Sequence, residues 1–226
     1  MSALLATVPS GAEVDAVMHT EHSTLQAGSE KARDMQPTTG DVLMVVDVQY
    51  DFLEGGALGI AGGSSVIAPL NHALDVFIAR HLPVVATRDW HPANHCSFHE
   101  RGGPWPVHCV QGTHGADFHA TLRLPADTIV VAKGADPARE AYSGFEGTDL
   151  AAILRRLGCR RLWIGGLATD YCVRASGRDA LAAGFDVVVI EDGVCAVDVT
   201  PGDGARALDE PREAGARMQS SATLQP

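Results

Sequence analysis

Three residues able to do chemistry follow apolar runs of this chain: Asp47, Lys133 and Cys172. Asp47 and Lys133 come directly after short runs rich in Val, and Cys172 follows a third run through a Gly-Gly pair. If these runs are neighbouring strands of one parallel sheet, an acid, an amine and a thiol meet where open α/β sheets bind ligands. An acid paired with an amine can take a thiol proton and hold charge near the sulfur. The trio therefore predicts a nucleophilic hydrolase.

The position of Cys172 favours the nucleophile over its plainer alternative. A cysteine is commonly a small buried thiol between helix and sheet. Cys172, however, is predicted near the third position of a helix capped by Thr169. There we expect a depressed thiol pKa and a free backbone N–H for an oxyanion. Asp47 alone could cap a turn and Lys133 alone could be an exposed strand end, so the combination is more specific than its members.

A second group follows the next apolar run. Asp89 and His91 can present an oxygen and an imidazole nitrogen to one cation, and His108 could supply a third ligand. Two His and one carboxylate with open positions describe a catalytic site for Zn²⁺, Fe²⁺ or Mn²⁺. A structural zinc site using Cys96, Cys109 and two His is a weaker alternative, because the chain has no C-x₂-C pair.

Other polar and aromatic residues of this region have two interpretations each. The remaining histidines are predicted to lie in a polar loop, with their ring nitrogens hydrogen-bonded by protein groups. The alternative is that His95, Ser97 or Glu100 reaches a metal ion through water. Aromatic walls suit a flat, small substrate, and any one aromatic is more often part of the core. The aromatic candidates for such a wall are Phe52, Trp105 and Tyr142.

The elements that must position these residues alternate along the chain. Predicted strands are Val42–Val46, Pro83–Thr87, Thr128–Ala132, Arg161–Ile164 and Asp186–Ile190. Helical periodicity predicts helices over roughly 66–78, 150–157 and 169–184, and a last one from Thr200 that Pro211 should kink or end early. The alternation predicts a three-layer α/β/α fold with a central, mainly parallel, Rossmann-like sheet. The long irregular stretch 88–127 is predicted to be functional.

Length and composition constrain the domain organisation and the class of partner. The 226 residues predict a single domain at 41–226 after a flexible N-terminal extension at 1–40. A net charge of −11 argues against nucleic-acid or anionic-membrane partners, and no run approaches the roughly 20 apolar residues of a membrane span. The five cysteines, odd in number, fit a reduced cytoplasmic protein. We expect a small-molecule substrate and leave a homo-oligomer open.

At this point the chain closely resembles the nicotinamidase/pyrazinamidase branch of the isochorismatase-like cysteine hydrolases, over about residues 41–223. The matching segments are Asp47–Phe52, Asp89–His95, Trp105–Cys109, Lys133-Gly134, Tyr142–Phe145 and Gly166–Val173. Two departures stand out: Ser97 occupies a position where some members carry a further metal histidine, and Pro211 lies where the last helix normally continues.

The resemblance implies roles for individual residues and a cis peptide bond before Ala168 or Thr169. The implied site comprises a catalytic triad of Asp47, Lys133 and Cys172, metal ligands Asp89, His91 and His108, oxyanion-hole backbone amides at Ala168 and Cys172, and pocket aromatics Phe52, Trp105 and Tyr142.

The activity implied is hydrolysis of nicotinamide to nicotinate and ammonia in NAD salvage, through a thioester and with one divalent metal ion, Zn²⁺ before Fe²⁺ or Mn²⁺. Pyrazinamide is an expected second substrate. One alternative is a related cysteine amidase acting on a carbamoyl or ureido amide, which the metal-ligand set disfavours. Another is a non-catalytic binding module, against which the intact triad argues. Cys172 disfavours an isochorismatase, which works without the cysteine.

Overall fold

The computed structural model describes residues 35–226. Within them, six strands form one sheet: β1 Asp41–Val46, β2 Val84–Asp89, β3 Ile129–Lys133, β4 Arg161–Leu167, β5 Asp186–Cys195 and β6 Arg217–Gln219. The α-helices of the same residues are α1 Ile67–Ala79, α2 Leu150–Arg156, α3 Arg174–Ala182 and α4 Asp203–Glu213.

The strand order is β3-β2-β1-β4-β5-β6, and every neighbouring pair is parallel. In such a sheet the chain winds outward in both directions from the centre, and ligands bind beyond the carboxyl ends of the strands where the order reverses. Here that point lies between β1 and β4. Asp47 directly follows β1, and Ala168 directly follows β4. The topology therefore brings two predicted site segments together.

Helices cover both faces of the sheet, as predicted. On one face, Met44 of β1 belongs to a buried cluster with Leu150 and Leu154 of α2. On the other, Phe77 of α1 packs edge-on against Trp163 of β4, with ring centroids 6.1 Å apart. Every residue of β1 is buried, so both faces of the strand contact apolar neighbours. This explains why its apolar run is uninterrupted.

The predicted elements are present with shifted ends. β4 continues through Gly165-Gly166 to Leu167, so this pair lies within a strand and is not a turn. A side chain at Gly166 would meet the backbone oxygen of Val46, which explains a glycine at this close approach of β4 to β1. The short strand β6 was missed because its three residues, Arg-Met-Gln, carry no apolar pattern.

The last two helices differ in detail from the prediction. α3 is preceded by a turn of π-helix, Thr169–Val173, so the predicted helix is two joined elements. α4 begins at Asp203 after a turn, and Pro211 lies in its final turn, two residues before the helix ends. The helix thus runs through Pro211 to Glu213 and does not end before the proline, contrary to the expectation of an early end.

Residues 1–34 of the predicted extension lie outside the described residues. Residues just before β1 are held by long-range hydrogen bonds: Gln36 Nε2 donates to the Thr223 carbonyl at 2.8 Å, and an Arg80 guanidinium donates to the Pro37 carbonyl at 2.7 Å. Over residues 35–226, no helix combines the length and apolarity needed to cross a membrane.

Candidate active site

Asp47, Lys133 and Cys172 form one buried cluster at the carboxyl ends of β1, β3 and β4. Lys133 Nζ lies 3.0 Å from Asp47 Oδ2 and 3.4 Å from Cys172 Sγ. It also hydrogen-bonds the Ala141 carbonyl at 3.1 Å. The predicted acid, amine and thiol are thus brought together, although Asp47 and Lys133 lie 86 positions apart in the sequence.

One oxygen of the Asp47 carboxylate accepts a hydrogen bond, and the other forms an ion pair with Lys133. Thr87 Oγ1 donates to Asp47 Oδ1 at 2.7 Å. Among the described residues, Asp47 Oδ2 accepts no aligned hydrogen bond, and its contact with Lys133 is an ion pair. One carboxylate oxygen of Asp47 lies within 4.8 Å of Cys172 Sγ. Asp47 therefore offers an acceptor on the side of the thiol.

Burial dominates the electrostatics of this cluster. It raises the pKa of Asp47, and the positive charge of Lys133 only partly offsets this. Burial also raises the pKa of the Cys172 thiol well above its ordinary value, with Asp47 and Asp89 adding to the effect against Lys133. The expectation of a depressed thiol pKa at a helix terminus is therefore wrong for the resting site. The thiol stays protonated and needs a base beside it.

The turn that carries Cys172 follows β4 directly. Ala168 has extended backbone angles, and its carbonyl accepts from the N–H groups of Tyr171 and Val173 at 3.1 and 3.0 Å. The N-cap position is therefore Ala168 and not Thr169 as predicted. The peptide bond between Leu167 and Ala168 is cis. Cys172 lies between Tyr171 and Val173 in the first turn, a position at which backbone N–H groups commonly lack intrahelical acceptors.

The predicted metal ligands also meet. Asp89, His91 and His108 are buried, and one ligand atom of each lies within 4.8 Å of the others. Asp89 Oδ2 is 3.6 Å from His91 Nε2. Burial alone would raise the pKa of Asp89, but Lys133 and His91 outweigh it and keep the carboxyl ionised. An oxygen and two imidazole nitrogens form a donor set that suits zinc.

Backbone carbonyls orient both imidazoles. His91 Nδ1 donates to the Gly134 carbonyl at 2.9 Å, and His108 Nδ1 donates to the Pro106 carbonyl at 2.7 Å. Because a carbonyl only accepts, these bonds place the proton on Nδ1 and leave on Nε2 of each ring the lone pair that can bind a metal ion. Second ligand-shell bonds of this kind are usual at metal sites. The residues present therefore fit a divalent metal ion.

A second trio of possible ligands, Asp47, Asp89 and Cys172, has atoms equally close together. The ammonium group of Lys133 contacts all three side chains. Since that cation already neutralises the carboxylates, this trio is better described as a charge cluster than as a metal site. The alternative structural site with Cys96 and Cys109 is not among the trios that residues 35–226 assemble.

Gln49 is a supporting residue that the sequence reasoning missed. Its amide is fully buried: Nε2 donates to the carbonyls of Asp89 at 2.8 Å and Ala116 at 2.9 Å, and Oε1 accepts from Asp89 N–H at 2.8 Å. The Gln49 amide thus bonds both the N–H and the carbonyl of Asp89, a metal-ligand candidate. The only available signal was its place in the Asp47–Phe52 motif.

The three candidates for a further ligand are placed differently. His95 stacks on His91 with ring centroids 4.1 Å apart, and its Nε2 donates to the Arg139 carbonyl at 3.0 Å. Ser97 Oγ donates to His95 Nδ1 at 2.7 Å. Glu100 is exposed. Both ring nitrogens of His95 are therefore engaged by protein groups. Contact of any of the three with a metal through water stays a prediction.

One pocket joins the thiol to the metal-ligand candidates. The predicted aromatics Phe52, Trp105 and Tyr142 all line it, and Trp105 Nε1 donates to Tyr142 Oη at 3.0 Å. The sequence reasoning did not select the other wall residues. These are Leu58, Ile60, Glu140, Tyr171 and Val197. Most of the lining side chains are apolar or aromatic and a few are polar, as small-molecule sites commonly are.

Comparison with known proteins agrees with this architecture. The family model described as Isochorismatase domain matches residues 41–223. Nicotinamidase of Escherichia coli is 38% identical over 201 residues, which cover 80% of this chain and 94% of that protein.

Solved structures extend the likeness. The pyrazinamidase of Pyrococcus horikoshii in complex with zinc is 49% identical, with a TM-score of 0.77 over 80% of this chain and 99% of that one. PnC1 of L. infantum in complex with nicotinate is 37% identical, with a TM-score of 0.77 over 85% and 98%. The chain therefore belongs to the isochorismatase family, within its nicotinamidase/pyrazinamidase branch.

Proposed function

We propose that this protein hydrolyses nicotinamide to nicotinate and ammonia through a thioester on Cys172, and that it also accepts pyrazinamide. One observation carries the proposal: a single aromatic pocket contains the Cys172 thiol and the metal-ligand candidates Asp89, His91 and His108. A flat ring carrying both a nitrogen and a carboxamide suits a pocket that offers both a thiol and metal-ligand candidates. The named relatives, a nicotinamidase and a pyrazinamidase, support the same substrate class.

Asp89, His91 and His108 would hold the metal ion, and zinc is proposed because a related pyrazinamidase binds it. When bound, such an ion supplies a Lewis acid that can hold the pyridine nitrogen directly or through water. The chain's own contribution is orientation. Phe52, Trp105 and Tyr142 would enclose the ring and exclude water, so that the carboxamide carbon meets the thiol.

The first half of the reaction would transfer the acyl group to sulfur. Asp47 Oδ2 takes the Cys172 proton, and the sulfur bonds to the carboxamide carbon, whose oxygen becomes an anion. Collapse of this intermediate breaks the carbon–nitrogen bond, and Asp47 returns its proton to the departing ammonia. Lys133 stabilises the negative charge that moves between carboxylate and sulfur. The raised pKa of Asp47 suits a group that must accept and release a proton.

The second half would release the acid. Asp47 deprotonates a water molecule, which attacks the thioester, and the second tetrahedral intermediate expels the Cys172 sulfur. Asp47 then returns the proton to sulfur. Backbone N–H groups of Ala168 and Cys172 would stabilise the oxyanion in both halves. One donor of this kind typically contributes about 3 kcal/mol to the barrier reduction.

Ammonia release tests the function directly. The wild-type protein with zinc should release ammonia from nicotinamide and pyrazinamide, and far less from an N-carbamoyl amine. Cys172→Ala should abolish release while the far-UV circular dichroism spectrum stays unchanged. Cys159→Ala, a half-buried thiol outside the pocket, serves as the matched control and should keep its activity. Undiminished release by C172A, or a preference for the carbamoyl compound, would overturn the proposal.

A cytoplasmic location is proposed from the thiols. All five cysteines are free in the structure, and a nucleophilic thiol needs a compartment that keeps it reduced. Burial raises the pKa of Cys159 to about 12, which leaves that thiol unreactive. Formation of a homo-oligomer stays a prediction.

A further inference from the structure

Asp170 lies two residues before Cys172, yet the reaction above does not use it. Its side chain is 6% exposed. Asp170 Oδ1 accepts the Val197 N–H at 3.0 Å, and Oδ2 accepts the Asp198 N–H at 2.9 Å. Both carboxylate oxygens therefore bind a segment that follows β5 and lies outside the turn that carries Cys172.

The segment held by Asp170 forms part of the pocket. Val197 lines it together with Cys172 and the aromatics. From Cys195 to the start of α4 the chain has neither helix nor strand, so no hydrogen-bond ladder fixes this wall. Asp198 has φ +56° and organises the segment internally, accepting the N–H groups of Gly202 at 3.3 Å and Gly204 at 2.9 Å. Asp170 connects this unit to the catalytic turn.

We propose that Asp170 is a positioning residue that fixes Val197 as a wall of the pocket and thereby limits the size of the ring accepted. The inference rests on the proposed function, because it concerns the substrate of that site. Two hydrogen bonds from the turn that carries Cys172 would hold Val197 at a set distance from the thiol. Without these bonds Val197 can move away from the thiol. The affinity for a small ring then falls, and a larger ring can enter.

Steady-state kinetics of three variants test the inference. Asp170→Ala removes both acceptors, Asp170→Asn keeps one, and Val197→Ala removes the wall side chain. For D170A we expect KM for nicotinamide to rise about tenfold, the scale of one lost apolar contact, with a much smaller change in kcat. The kcat/KM ratio of quinoline-3-carboxamide to nicotinamide should rise in D170A and V197A, and D170N should lie between D170A and wild type.

Asp179→Ala is the matched control, because Asp179 pairs with its neighbour Arg178 and lies outside the pocket. It should leave both kinetic constants unchanged. Two results would overturn the inference. One is wild-type KM and ring selectivity in D170A. The other is a loss of kcat of a hundredfold or more at constant KM, which would show that the carboxylate supports the nucleophile and not the wall.

Amide hydrogen exchange separates this inference from the proposed function. In D170A the amides of Val197 and Asp198 should exchange at least tenfold faster than in wild type, whatever the substrate, and in D179A they should not. Faster exchange in D170A of a protein that releases no ammonia would support the role of Asp170 in holding Val197 and reject the proposed function. Unchanged exchange in D170A of a protein that hydrolyses nicotinamide would reject only the role of Asp170.

Discussion

The ammonium nitrogen of Lys133 lies 3.0 Å from Asp47 Oδ2, and neither side chain is accessible to solvent. The same nitrogen lies 2.5 Å from Asp89 Oδ1. One buried cation is therefore shared by two carboxylates, one proposed to move protons and the other to hold the metal ion. A change at Lys133 should affect both parts of the site.

Replacing Lys133 by Met should destabilise the protein strongly. The substitution roughly preserves side-chain volume but leaves two buried carboxylates without their counter-charge. Breaking a buried ion pair on one side typically costs about 3–5 kcal/mol in the free energy of unfolding. Urea unfolding of metal-free K133M against metal-free wild type measures the difference, and hydrolysis of nicotinamide should be lost as well.

Arg123→Met is the control for that experiment. Its ion pair with Asp75 joins side chains that are 57% and 53% exposed, and exposed pairs usually contribute less than about 1 kcal/mol. If K133M lost no more stability than R123M, the description of Lys133 as a required buried counter-charge would be wrong.

Asp47→Asn should separate proton transfer from binding. The variant keeps the shape of the side chain but cannot take the thiol proton, so kcat should fall by about 10²–10⁴-fold, the usual range for a lost general base. Because burial raises the pKa of Cys172, its thiol should also react more slowly with iodoacetamide in D47N. A kcat within tenfold of wild type would assign the proton transfer to another group.

The ends of the buried strands were predictable for a physical reason. Strands buried on both faces appear as continuous apolar runs, so a charged residue that ends such a run is conspicuous. This reason holds for Asp47, which follows the fully buried β1. It does not hold for Lys133, because β3 lies at the edge of the sheet and its Val130 is 45% exposed. The metal-ligand candidates Asp89 and His91 were found because a carboxylate and an imidazole one residue apart form a local pattern.

Contacts between distant segments were not predictable in the same way. Gln49 and Asp89 lie 40 residues apart, and Asp170 and Val197 lie 27 apart, so no local periodicity connects them. The pKa of Cys172 was misjudged for the same reason. The helix terminus is a local feature that favours the thiolate, whereas the burial that outweighs it arises only from the tertiary fold.

Asp192 should make a pH-dependent contribution to stability. Burial alone would raise its pKa, but hydrogen bonds from Ser221 and Ser220 outweigh it, so the folded-state pKa lies below the unfolded one. The contribution is therefore complete above the unfolded pKa of about 3.9 and is lost as pH falls through the folded value. Asp192→Asn should lose about 1 kcal/mol of unfolding free energy at pH 7, and the difference should shrink below pH 4 or so.

Urea midpoints of metal-free wild type and D192N at pH 7, 5 and 3.5 measure this dependence. Asp209→Asn is a suitable control, because its exposed i,i+3 pair with Arg212 should contribute little at any of these pH values. A difference that grew on acidification would reverse the assigned sign.

Removal of the metal ion should lower thermal stability as well as substrate affinity. A ligand at a hundred times its Kd stabilises the folded state by about 2.7 kcal/mol. Dialysis against dipicolinate should therefore lower Tm and raise KM for nicotinamide, and added zinc should restore both. His99→Ala, an exposed histidine on the same loop, should respond like wild type, whereas His108→Ala should show no response. A wild-type Tm indifferent to dipicolinate and zinc would argue against metal binding.

Gln49→Leu should weaken zinc binding although every proposed ligand remains. The variant loses the buried amide that bonds the Asp89 backbone on both sides, so the carboxylate would no longer be held in place. Loss of such outer-shell support typically costs 10–100-fold in metal affinity, measurable by competition with a chromophoric chelator. Gln111→Leu is the control, because Gln111 Nε2 makes one exposed bond to the Trp90 carbonyl. Equal affinities of Q49L and Q111L would show that Asp89 is positioned without Gln49.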